Sequence, residues 1–200
     1  MPVDRSQLNA VGDIVVTEPK ALRVLADPVN LHLFDLVRRL GPAGAADLAT
    51  ELGEHEAATH GRLVALESAY LVDLDDADPE RVLWSTPASG IYFEIPEDGA
   101  EAQEAARALS NVMFAGASEL PRRWVEGAEP QLTVEWARAA GLFNARVELS
   151  PEEVRGLQDS IERLLEPFTT REAGKRPAGA VPVRLLAFFM PEPQTQGEHR

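Results

Sequence analysis

The chain of 200 residues carries 33 Asp and Glu against 19 Lys and Arg, a formal net charge of −14, with 44% hydrophobic and 26% charged residues. This composition fits one globular domain or two small ones and excludes wholesale disorder, and no apolar run approaches the ~20 residues of a membrane span. There is no cysteine and the four histidines (His32, His55, His60, His199) are scattered, which excludes disulfides, thiolate metal sites and cysteine nucleophiles and argues against any metal or cofactor.

Residues 1–17 read as an N-terminal arm in which DIVVT (13–17) has strand composition, and MPVDRSQLNAVGD lacks the apolar core of a secretion signal, so a cytoplasmic location without membrane attachment is expected. EPKALRVLAD (18–27) predicts a short helix with Pro19 in its first turn. Asp27-Pro28 then restarts a helix, because Asp caps free N–H groups and Pro is preorganised for the first helical position. Leu31, Phe34, Leu36, Val37 and Leu40 recur at helical spacing before Gly41-Pro42 ends that segment. AADLATELG (45–53) predicts a third helix, and residues 55–68 a fourth, with Ala58, Leu63, Ala65 and Leu66 inward. YLVDL and RVLWST have the composition of a two-stranded hairpin.

Helix, short helix, glycine turn, helix and hairpin follow the order of a winged helix-turn-helix. Pro96 to Gly99 separate this region from a long helix over roughly 99–125, which Pro121 is expected to kink or end. VEWARAAGLF predicts another helix and ARVEL (145–149) a strand. Ser150-Pro151-Glu152-Glu153 is a capping box before an apolar stripe of Val154, Leu157, Ile161, Leu164, Leu165 and Phe168. VPVRLLAFFM (181–190) reads as a buried strand, and the final residues as a disordered tail. The expected fold is mainly α with small β: an arm (1–17), a winged helix-turn-helix domain (18–95), a helical dimerisation and effector region ending in a small α+β part (96–190), and the tail (191–200).

The stretch LADPVNLHLFDLVRRLGPAGAADLATELGEHEAATHGRLVALESAYLV resembles the ArsR-type winged-helix repressors of bacteria. The pattern is D-P-x-x-L-x-L-F-x-L-V, then A-x-x-L-A-x-x-L-G, then R-L-V-A-L-E-S-A-Y-L-V, covering roughly residues 18–90. RVLWSTP, the long helix, V-x-L-S-P-E-E-V and PVRLLAFFMPEP resemble a longer subgroup with an added C-terminal α+β region. The resemblance implies a homodimer, a recognition helix in the major groove of double-stranded DNA, and control by a small organic effector rather than catalysis. Metal sensing is not implied, since residues 99–125 contain neither His nor Cys.

Base reading requires donors and acceptors aimed at base edges. HEAATHGRL (55–63) supplies His55, Glu56, Thr59, His60 and Arg62 for that role, with Ala58 and Gly61 where the family pattern places Thr and Arg. Arg38, Arg39 and Arg81 complete the candidate DNA-contacting set. Residues 18–90 hold six Lys and Arg and thirteen Asp and Glu, and Asp73, Asp75, Asp76, Asp78 and Glu80 crowd the hairpin. Phosphate binding draws its affinity from cations and released counterions, so two alternatives stand open: DNA bound through a narrow cationic strip, or DNA binding lost.

Trp84, Tyr92, Phe93, Asn111, Phe114, Trp124, Trp136 and Phe143 are the candidates for lining a ligand pocket, with Glu119, Arg122, Arg123 and Asn144 as further polar groups. Plain core and dimer interface is the competing reading of the aromatics. No nucleophile elbow, phosphate loop or dinucleotide fingerprint occurs, and no catalytic residue is assigned. An enzyme built on this chain would do cofactor-independent chemistry, such as cyclising a hydrophobic natural product in an aromatic pocket.

Overall fold

The computed structural model describes residues 8–9, 11–75, 78, 81–169 and 171–192. The hairpin acids Asp76 and Glu80, most of the arm before residue 8 and the tail from residue 193 lie outside them. The chain divides into two compact units, residues 1–141 and 142–200. Helices dominate the first, which also holds two small sheets, and the second contains one α-helix among its described residues.

The first unit begins with β1 (Asp13–Val15), α1 (Pro19–Leu25) and α2 (Pro28–Leu40). Asp27 caps α2 by accepting from the N–H groups of Val29 (2.8 Å) and Asn30 (3.2 Å), and Gly41 at φ +76° ends it. These are positions where a side-chain acceptor and a residue without Cβ are favoured. β2 (Ala43–Gly44) leads into α3 (Ala45–Leu52), closed by Gly53 in the left-handed region at φ +69°. Next comes α4 (Glu56–Glu67), whose exit places the non-glycine Tyr70 at φ 59°. The Leu71 N–H returns to the Leu66 carbonyl (3.1 Å), which satisfies an end-of-helix acceptor.

β3 (Asp73–Asp75) and β4 (Leu83–Ser85) pair antiparallel, and β2 joins the other side of β4, giving the order β2-β4-β3. Leu74 and Ala43 thus both lie opposite Trp84. β5 (Gly90–Tyr92) pairs in parallel with β1, Ile14 opposite Ile91. α5 (Ala100–Gly127) and α6 (Val134–Ala139) complete the unit. The core joins Leu22 and Leu25 of α1, Leu33, Phe34 and Val37 of α2, Leu48 of α3, Leu63 and Leu66 of α4, Trp84, and Ala105, Ala106 and Leu109 of α5. Packing of the first half of α5 against α1 draws the compact unit past the expected boundary at residue 95.

Pro121 neither ends α5 nor divides it: the helix runs on to Gly127. A proline removes one N–H and crowds one carbonyl, a local cost that a 28-residue helix absorbs.

In the second unit α7 (Pro151–Thr169) is capped as its sequence predicts. The Glu153 N–H donates to Ser150 Oγ (3.2 Å) and the Ser150 N–H to Glu153 Oε2 (2.7 Å). The Ser150 backbone N–H most of all, and then the Ser150 hydroxyl, hold the Glu153 carboxyl below the ordinary range, against a smaller effect of burial. The expected strands do not form: residues 145–149 and 181–190 carry no ladder among the described residues, and neither segment is buried. A strand needs a neighbour to satisfy its backbone, and no ladder partner stands among the described residues of this unit.

Candidate nucleic-acid interface

α4 turns Thr59, Leu63 and Leu66 into the core, at spacings of four and three that define one helical face. The opposite face carries Glu56, Ala57, Ala58, His60, Gly61 and Val64, all exposed, with His55 exposed just before it. His55, Glu56, Ala57 and His60 line a shallow open depression at the start of the helix. His60 also meets the buried Trp84 edge to face, ring centres 6.1 Å apart and planes at 71°.

Two side chains expected elsewhere have changed places. Thr59, assigned to base reading, is fully buried, and a hydroxyl inside the core does not reach a base edge. Ala58, assigned inward, is exposed. Thr59 lies four before Leu63 and seven before Leu66, so the helical period itself contained the signal. Among the described residues its Oγ1 has no hydrogen-bond partner, and neither does the buried Nε1 of Trp84.

All six Lys and Arg of residues 18–90 are engaged within the chain. Lys20 donates to the Ser68 carbonyl (2.7 Å) and Arg23 pairs with Glu101. Arg38 and Arg39 share Asp35, Arg39 at 3.5 Å. Arg81 leaves the hairpin for Asp47 of α3 (2.8 Å). Arg62 is held most firmly, donating to Asn30 Oδ1 (2.8 Å) and Asp27 Oδ2 (3.2 Å). Its Nε also lies 3.4 Å from Glu54 Oε2, an ion pair by distance but without hydrogen-bond alignment, since that buried oxygen has no hydrogen-bond partner.

Asp27 therefore caps α2 and anchors α4 through Arg62. Burial pushes its carboxyl upward, but the N–H groups of Asn30 and Val29, with the hydrogen bond and charge of Arg62, outweigh burial and hold it below the ordinary value. Asn30 completes the link by donating from Nδ2 to the Val24 carbonyl (2.9 Å). The sequence reading assigned Arg62 to DNA. Two of its three partners, Asp27 and Asn30, are more than thirty positions away and place it between α2 and α4.

The hairpin acids Asp73 and Asp75 sit on β3, directly opposite β4 residues. The pocket candidates differ in their surroundings. Trp84 is core, Phe93 packs against the core, Tyr92 donates to Glu94 (2.5 Å), and Asn111 and Phe114 are exposed on α5. Trp124 and Trp136 are half-buried, while Phe143 belongs to the second unit and is 90% exposed. Glu119 pairs with Arg122 (2.6 Å) on the surface of α5, while Arg123 and Asn144 are exposed. No group of three or more His, Asp or Glu is placed to hold a metal ion among the described residues, and no helix there is long and apolar enough to cross a membrane.

No protein-family model matches this sequence, and no curated protein matches it.

Proposed function

We propose that the chain is a homodimeric winged helix-turn-helix regulator of transcription, with α4 of each copy entering the major groove of DNA. The observation that carries this reading is the placement of α4. It follows the α3 turn, packs by one narrow face, leaves its whole outer face to solvent, and is succeeded by the antiparallel pair β3–β4 in a β2-β4-β3 sheet. A helix docked in a groove needs that free face. His55, Glu56 and His60 are its base-reading side chains. Arg39 and Arg81, with the half-buried Arg38, are its phosphate contacts, because ion pairs at the surface contribute only ~0–1 kcal/mol and exchange a carboxylate for a phosphate readily. Arg62 orients α4 and does not touch DNA. The resemblance to ArsR-type repressors adds a small organic effector as the input.

Retardation of DNA from upstream of its own coding sequence, at low and moderate salt, tests the proposal. Specific retardation at micromolar protein is expected, weakened in His60→Ala while the helical circular dichroism of the fold is kept. Binding no better than to unrelated DNA refutes it.

A second reading is favoured by one observation, the engagement of all six cations among thirteen acids. Here DNA binding is lost and the chain binds, or transforms without cofactor, a small hydrophobic molecule. Absence of retardation at the lowest salt, together with a ligand-induced rise in melting temperature, would establish it.

A further inference from the structure

We propose that the second unit is the surface through which two copies associate: residues 181–190 join a sheet shared between copies, and α7 of each copy covers one face of it. This rests on the homodimer part of the reading above and is independent of DNA binding. In VPVRLLAFFM the odd positions are Val181, Val183, Leu185, Ala187 and Phe189, and the even positions, after Pro182 and Arg184, are Leu186, Phe188 and Met190. A strand apolar on both faces is the kind buried between two layers. Among the described residues it has no ladder, and Leu185 and Met190 are each 67% exposed.

The unit contains one α-helix among its described residues, α7. Its apolar stripe is partly uncovered: Val154, Ile161 and Leu165 are half-buried, while Leu164 is 71% and Phe168 64% exposed. One helix covers one face, and a two-faced strand needs two. A second copy brings the missing helix and a matching strand in the same step, and its surface is self-complementary under a two-fold axis. Arg146 pairs with Glu192 (2.9 Å), which sets ARVEL (145–149) beside the end of the longer run and supplies a second strand from each copy.

The area agrees. Thirteen large hydrophobic side chains of residues 142–190 are at least 40% exposed, on the order of 1,000 Å² of apolar surface at roughly half the area of a large side chain apiece. A monomer's largest patch is ~300–600 Å², whereas a stable interface takes ~800 Å² from each partner.

Sedimentation of the full chain at micromolar concentration is the test. The expected species has twice the 21.8 kDa chain mass. Leu185→Pro, which removes a ladder donor, and Leu164→Glu, which charges the helix stripe, each weaken the dimer at least about tenfold. Phe114→Lys on α5 leaves it intact. Trp84, Trp124 and Trp136 all lie in the first unit, so unchanged fluorescence confirms that the variants stay folded there. As a readout without disruption, Arg184→Cys in this cysteine-free chain should cross-link two copies under mild oxidation. A wild-type monomer overturns both this surface and the homodimer. A dimer that survives both second-unit variants but is lost in Phe114→Lys overturns the surface alone.

Discussion

Arg62→Met separates a structural guanidinium from a DNA-binding one. The substitution keeps the aliphatic stem and removes the donors to Asn30 (2.8 Å) and Asp27 (3.2 Å) and the charge beside Glu54 (3.4 Å). Asn30 is only 9% exposed, so its Oδ1 becomes a nearly buried acceptor without a donor, which costs about 1 kcal/mol or somewhat more. Asp27 and Glu54 side chains are 42% and 27% exposed, and solvent screening limits each lost ion pair to ~0.5 kcal/mol. The expected loss is about 2 kcal/mol at pH 7. Urea unfolding followed by tryptophan fluorescence reads it, because all three tryptophans belong to the first unit.

The pH dependence has a definite sign. Asp27 is held below its ordinary value in the folded chain, so its stabilisation is full above the unfolded carboxylate pKa of ~3.9 and is lost as pH falls through the lower folded value. The gap between wild type and Arg62→Met therefore narrows on acidification below about pH 4. An unchanged urea midpoint combined with a large loss of DNA retardation would refute this account and return Arg62 to the interface.

Three further outcomes follow from the same geometry. With Arg38, Arg39 and Arg81 as the phosphate contacts of each copy, a dimer neutralises about six phosphates and the slope of log K against log salt is about −5; a slope near −10 in a salt titration would mean that cations outside this set bind DNA. Thr59→Val replaces a buried hydroxyl that has no partner by a methyl and raises stability by about 1 kcal/mol; a loss of that size in thermal unfolding would reveal a partner for the hydroxyl. Gly61→Ala meets no atom within 4 Å and gains about 1 kcal/mol of helix propensity, while DNA affinity falls because the new methyl stands on the groove-facing side. Equal affinity with higher stability would show that this face stays clear of the duplex.

The helices were legible where a local signal existed. Asp27-Pro28, Gly41, Gly53 and the Ser150–Glu153 box each act within a few residues, and each is found where the sequence puts it. β2 was missed because two small residues, Ala43 and Gly44, join β4 through backbone alone, leaving no side-chain alternation to read. The strands expected at 145–149 and 181–190 were overestimated for the opposite reason: composition shows what a segment can pair with, not whether its own chain provides a partner. The candidate DNA surface was legible as a helix but not as an electrostatic object. Arg62 with Asp27 and Arg81 with Asp47 join residues more than thirty positions apart, and no spacing rule finds such pairs.

The parallel contact between β1 and β5 ties Asp13 to Gly90 and Val15 to Tyr92, closing a loop around α1 to α4 and the three-stranded sheet. Such a closure loses chain entropy before its few hydrogen bonds repay it, so it is among the last contacts to form as the unit folds. The segment over 13–15 then works as a clasp, holding the chain just ahead of α5 to the opening of the fold. Proteolytic clipping there would loosen the approach to the long helix while α2, α3 and α4 remained assembled.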